Sequence, residues 1–272
     1  MCTTLTSTPI LCKAHKRNLK CIIAYNGTAY HGFQRQSNAV TVQAVIETAL
    51  SKLLGGTQSP HTITGCSRTD AGVHAHEFCF NVKTSSSIPC TGVVRGLNSL
   101  LPRDIAVHSC EDVDMDFHAR YDARSKVYTY LFHTGIVRDV FMDKRCYHYP
   151  HKPDIAAMSE AAKLFIGEHD FSAYCKAESL ELTRAKKRGT VREIYGCKLT
   201  ASGTANEYIE MRVCGNGFLH NMVRIMAGTL LYIGIGKLSL EQAEKSLSGG
   251  SRESAGVTLP PHGLYLDKVN YE

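Results

Sequence analysis

The sequence is most restrictive in what it lacks. Its eleven cysteines contain no Cys-x-x-Cys pair, so the spacing of a zinc ribbon is absent. The odd cysteine count, a length of 272 residues and no stretch resembling a secretory leader argue against a disulfide framework. Free thiols in a reducing compartment, the cytoplasm, are the expectation. No run is apolar enough for a bilayer: the best, Phe218 to Ile235, carries His220, Asn221 and Arg224 together with glycines, and reads as a core helix instead. His74-x-His76-Glu77 would place potential ligands on one strand face, but no matching third and fourth ligands can be identified, so no metal is expected. Acidic residues are missing before Glu47, whereas Lys13, Lys16, Arg17 and Lys20 form a basic segment that reads as an arm lying near a polyanion.

What is present suits one large or two modest domains. Hydrophobic residues make up 43% of the chain, enough for a real core, and a formal charge of +6 tilts the expected partner toward nucleic acid. Leu19 to Tyr25 predicts a strand ended by Asn26-Gly27, and Thr41 to Leu54 predicts a helix with apolar residues recurring at three and four, stopped by Gly55-Gly56. A helix near Val93 to Leu100 and a strand from Ile105 follow; the acid-rich Cys110 to Asp116 reads as a solvated connector between halves. The second half predicts strands over Lys126 to His133, Asp143 to Tyr149, Val191 to Leu199 and Tyr208 to Val213. It also predicts a helix over Asp154 to Ile166 and the long helix from Phe218. This alternation is an α+β layout with residues 1–112 as one half and 113–272 as the other.

The densest cluster of small and functional residues is Gly65 to Ala75. It would suit a tight turn in which Thr69 and Asp70 bond their own backbone and Gly72 takes a positive φ. It would equally suit a site. Arg224 lies in the predicted helix between apolar neighbours, and a guanidinium taken out of water needs a carboxylate; Asp70 is a candidate, which would fix its direction toward a substrate. A solvent-reaching arginine is the other reading. Tyr128 and Tyr130 alternate onto one strand face, where an aromatic ring could stack on an unstacked base or simply pack a core. Arg184, Lys186, Lys187, Arg188 and Arg192 form the strongest basic run, suited to phosphate contact or to plain solvation. A thiol nucleophile built on Cys66 and His74 is a weaker possibility.

Arg68-Thr69-Asp70-Ala71-Gly72-Val73-His74-Ala75 resembles the signature of TruA-type tRNA pseudouridine synthases. The likeness extends in order through Tyr25 to Gln36, Val42-Gln43, Arg95 to Asn98, Leu101 to Ile105, Phe117 to Arg120, His169 to Phe171, Gly217 to Arg224 and Gly263 to Leu266. The resemblance implies that Asp70 is the catalytic aspartate, Arg68 its neighbour assisting base flipping, Tyr128 the stacking tyrosine and Arg224 the ionic partner of the aspartate. Within these motifs Arg35, Gln36, His74, His220 and Leu264 are candidate substrate contacts, with Lys187 and Arg188 from the basic run. It further implies a pseudouridine synthase fold, two similar α/β halves on a continuous, mainly antiparallel sheet flanked by helices. The implied partners are tRNA, modified at positions 38 to 40 of its anticodon arm, and a second copy of the chain; no cofactor is implied. Asn26, Ser67 and Leu259 depart from residues frequent in the family and leave local turn geometry there in question.

Overall fold

A computed structural model describes residues 16–55, 61–185 and 189–272. Ten strands form one sheet: β1 (Arg17–Tyr25), β2 (Thr64–Gly65), β3 (His74–Thr84), β4 (Ile105–Val113), β5 (Ser125–His133), β6 (Tyr147–His148), β7 (Gly167–Asp170), β8 (Val191–Ser202), β9 (Tyr208–Gly215) and β10 (Leu264–Asn270). Among the described residues six helices flank it: α1 (Val42–Leu54), α2 (Cys90–Leu100), α3 (Ile155–Lys163), α4 (Ala177–Arg184), α5 (Met222–Gly234) and α6 (Leu240–Ser246). The strand order is β4-β1-β3-β10-β5-β9-β8-β7, with β2 paired to β3 and β6 to β5. Two pairings, β10 with β3 and β5 with β6, are parallel and the rest antiparallel, so the sheet is mixed but mainly antiparallel as expected.

Helix α1 begins where Thr41 accepts a hydrogen bond from the Ala44 amide and ends at Gly55, whose φ of 72° only glycine tolerates freely. Val42, Ile46, Ala49 and Leu50 form its buried face. Helix α5 is buried nearly all round, from Met222 through Leu231, so it lies inside the core rather than on it. Each of its fully buried large apolar side chains contributes about 2 kcal/mol of burial free energy. Gly228 is required there: a Cβ at that position would lie 1.9 Å from the Val257 carbonyl oxygen. The chain after α6 crosses α5 at this glycine, and the Gly256 amide donates to the Thr229 hydroxyl at 2.9 Å.

Three expectations need correction. The acid-rich stretch from Cys110 is strand as far as Val113, because Glu111 and Asp112 find cations on β1: Lys20 at 2.8 Å and Arg17 at 2.7 Å. Those ion pairs also make Arg17 and Lys20 part of the sheet and not of a free basic arm; Lys13 lies outside the described residues. Finally, the helix expected from Phe218 starts at Met222, since Asn221 adopts a left-handed φ of 65° and turns the chain just before it. Among the described residues no helix is long and apolar enough to cross a membrane.

Candidate active site

The loop between β2 and β3 is held from both sides. The Phe33 amide donates to the Thr69 carbonyl and the Gly72 amide to the Tyr30 carbonyl, both at 3.2 Å. This approach depends on Gly32, where a Cβ would meet the Thr69 oxygen at 2.5 Å. A hydrogen bond from the Val73 amide to the Asp70 carbonyl closes a turn with Gly72 at φ 79°. The turn is therefore present, but the Thr69 and Asp70 side chains do not bond its backbone. The Thr69 hydroxyl pairs with the Tyr25 phenol at 2.8 Å, and the Asp70 carboxylate leaves the loop altogether.

Asp70 Oδ2 lies 3.0 Å from an Arg224 guanidinium nitrogen, and Oδ1 lies 3.4 Å from His220 Nε2. The guanidinium is spread over three acceptors: it also donates to Asn221 Oδ1 at 2.9 Å and, through Nε, to the Leu259 carbonyl at 2.7 Å. Here the left-handed Asn221 acquires a purpose, because its amide oxygen reaches back to Arg224. His220 is fixed from behind by the Ser179 hydroxyl at 2.7 Å from Nδ1. The carboxylate thus keeps one open side, with 30% of its side chain exposed.

That open side faces a cleft of about 1030 Å³ bounded by the loop, β5, α4 and the start of α5. Tyr128 lies in its wall, its phenol 3.2 Å from the Ser67 hydroxyl and its ring 5.0 Å from that of Phe218, edge-on. Burial pushes the Tyr128 phenol far above its ordinary range, only partly offset by Ser67, so the ring is neutral across physiological pH. Tyr130, on the same strand face, donates to the Pro260 carbonyl at 2.8 Å and lies outside the lining. Leu264 closes the floor.

Cations dominate the lining. Arg68 is exposed at the mouth, Arg35 reaches in while paired with Glu47, and Gln36 donates to the His31 carbonyl at 2.8 Å. Arg120, Lys126, Lys176 and Arg192 add to them, and among the described residues Asp70 is the one acidic lining residue. Such a balance suits a polyanion that presents a neutral group to the Asp70 carboxylate. Sequence reasoning missed Ser67, Lys126 and Ser179 in this role. Lys126 was readable, standing two residues before Tyr128 and so on the same strand face, where it donates to the Cys66 carbonyl at 2.8 Å. Ser179 carried no signal.

Not every candidate converges here. His74, expected to contact substrate, is buried with both ring nitrogens engaged, Nδ1 by the Gly27 amide at 3.1 Å and Nε2 against the Lys144 carbonyl at 3.0 Å. It stacks on Tyr265 outside the cleft, so its role is structural. Cys66 is fully buried with its thiol pushed up to about 12 by burial, which removes it as a nucleophile. Lys187 and Arg188 lie outside the described residues.

The sequence pattern of the family described as "tRNA pseudouridine synthase" matches residues 21–122 and 161–272. The chain is 44% identical over 255 residues to the protein named tRNA pseudouridine synthase A from Ruminiclostridium cellulolyticum, covering 94% of this chain and all of that one. It is similarly 42% identical to those so named from Caldicellulosiruptor bescii, at the same coverage, and from Bacillus pumilus, covering 93% of this chain and 99% of that one.

Proposed function

Because the chain belongs to the tRNA pseudouridine synthase family, an isomerase family, we propose that it converts uridine to pseudouridine in the anticodon arm of tRNA, at positions 38 to 40, with Asp70 acting on the extruded nucleotide. The observation that carries this is the Asp70 carboxylate, aimed into a cation-lined cleft by Arg224 at 3.0 Å and His220 at 3.4 Å. A uridine stacked in an RNA arm hides its glycosidic bond, so it must flip out at a cost of a few kcal/mol. In this reading Arg68, exposed on the cleft lining, occupies the vacated stack and the Tyr128 ring faces the flipped base; their shared place on that lining supports it. The remaining cations would track the phosphates on either side.

The reaction breaks the bond from C1′ to N1 and forms one from C1′ to C5, with a proton lost from C5 and one gained at N1. No electrons leave the nucleotide. The two halves of the chain, 1–112 and 113–272, supply opposite walls of the cleft in this reading, the first through Asp70 and Arg68, the second through Tyr128, His220, Leu264 and Arg224. The protein works in the cytoplasm as a homodimer jointly holding the tRNA. The test is Asp70→Asn, which keeps size and shape but removes the charge: pseudouridine formation on tRNA transcripts should vanish while tRNA affinity stays within a few-fold. Turnover by that variant would overturn the assignment.

A further inference from the structure

At the outer edge of the sheet, far from any use in the proposed reaction, three thiols meet. Cys110 of β4 stands directly opposite Cys21 of β1 in the antiparallel register, so both side chains point to one face. Helix α2 packs on β4 and begins with Cys90. Asp112, two residues past Cys110 and so on the same face of β4, brings Cys90 beside that thiol: the Cys90 Sγ packs against the Asp112 carboxylate. A cation attends them: Arg17, clamped by Asp112 at 2.7 Å, brings a guanidinium nitrogen to 3.6 Å from Cys90 Sγ, which in turn lies 3.4 Å from Asp112 Oδ2.

We propose that Cys90 and Cys110 are a peroxide-oxidisable dithiol, with Cys21 a supporting thiol that stays reduced. Exposure separates the roles, since Cys21 is completely buried whereas Cys90 and Cys110 are both partly open to solvent. Cys110 is the attacking group. The Cys21 thiol opposite it holds the Cys110 thiol below the ordinary range, against burial, with Cys90 adding to the effect. By contrast Cys66, Cys79 and Cys197 are buried and pushed up to about 12, 11 and 12, chiefly by that burial. Cys90 is the resolving group because it stands at the first residue of a helix, free of the ladder that fixes Cys21 opposite Cys110.

The chemistry balances in two steps. The Cys110 sulfur attacks one oxygen of a hydroperoxide such as hydrogen peroxide; the S–O bond forms as the O–O bond breaks, sulfur loses two electrons, and the departing hydroxide leaves as water with the thiol proton. The Cys90 sulfur then attacks that of Cys110; the S–S bond forms as the S–O bond breaks, and a second water leaves with the Cys90 proton. None of the three residues lines the substrate cleft, so the inference stands independently of the proposed activity.

The test is peroxide titration of the folded full chain, quenched by alkylation and read by peptide mapping. A Cys90–Cys110 cross-link with loss of two hydrogens is expected before oxidation of the half-exposed Cys214. Cys90→Ser should instead leave Cys110 as a sulfenic acid that a 1,3-dione captures, Cys110→Ser should give no cross-link, and Cys21→Ser should still give one. A Cys21–Cys110 bond, earlier oxidation of Cys214, or no dione adduct on Cys90→Ser would each overturn the proposal.

Discussion

Asp70 and Arg224 stand 154 residues apart along the chain and meet at 3.0 Å, each holding the other in place. The carboxylate takes its direction from a guanidinium that is itself fixed by Asn221 and the Leu259 carbonyl. Removing the guanidinium therefore strips a charge partner and two further hydrogen bonds at once.

Arg224→Ala should abolish turnover and lower the unfolding free energy by about 2 kcal/mol, less than for a fully buried pair because Asp70 retains contact with water. Arg224→Lys should recover much of the stability but little turnover, since an ammonium cannot serve three acceptors spread around a planar fork. Urea unfolding and single-turnover assays on the same preparations separate the two effects; full activity in the alanine variant would remove Arg224 from the site.

Tyr128 offers a ring and a hydroxyl, and the structure assigns the hydroxyl to Ser67. Tyr128→Phe should lose about 1 kcal/mol of stability and keep turnover within a few-fold. Tyr128→Ala should lose base stacking as well, about 2 kcal/mol or roughly thirtyfold in single-turnover rate. Equal rates for both variants would show that the ring does not face the nucleotide.

A pH-dependent prediction concerns Asp267, which accepts hydrogen bonds from His76 at 2.8 Å, Arg212 at 3.0 Å and the Thr129 hydroxyl. Burial pushes the Asp267 carboxyl up, yet the hydrogen bonds from His76 and Thr129, with Arg212 beyond, carry it below its usual value; His76 is raised, first by its bond to Asp267. A raised histidine stabilises fully below its unfolded value near 6.5 and loses that contribution as pH rises through its folded value; a lowered carboxylate loses its own as pH falls through its folded value. The stability difference between the natural chain and His76→Gln should thus be largest near about pH 5 and shrink toward about pH 8. Thermal unfolding across that range checks it, and a constant difference would count against the pair.

Gly228→Ala sets two magnitudes against each other. Alanine should gain about 1 kcal/mol of helix propensity. Its Cβ would lie 1.9 Å from the Val257 carbonyl, a backbone atom that must move, and such overpacking costs about 3 kcal/mol. Net destabilisation is expected, and turnover should also fall, because displacing this segment moves the Leu259 carbonyl off Arg224. Calorimetry and initial rates on one variant test both; a raised melting temperature would refute the contact.

Much of this was legible in the residues. The period of Val42 to Leu54 and its Thr41 and Gly55 ends foretold α1, and the crowded Gly65 to Ala75 segment foretold a turn with Gly72 at positive φ. An arginine amid apolar neighbours called for a carboxylate, and Arg224 has one. What stayed hidden was non-local. Whether Glu111 and Asp112 face water or a sheet depends on Lys20 and Arg17, some ninety residues earlier, and no periodicity reports that. The burial of His74 likewise depends on Gly27 and Lys144. Nothing local marked Leu264–Asn270 as a central strand, since its neighbours β3 and β5 come from distant parts of the chain.

That placement has a consequence for the order of assembly. β10 is the last described strand to leave the ribosome, yet it lies between β3 and β5, so earlier strands can only wait as two separate sheets with bare edges. Asp70 precedes β3 and Arg224 follows β9, on opposite sides of that gap. Until that closing segment is in place the Asp70–Arg224 pair spans two unjoined parts of the sheet, and cleavage that frees the segment should cost turnover without touching a reacting group.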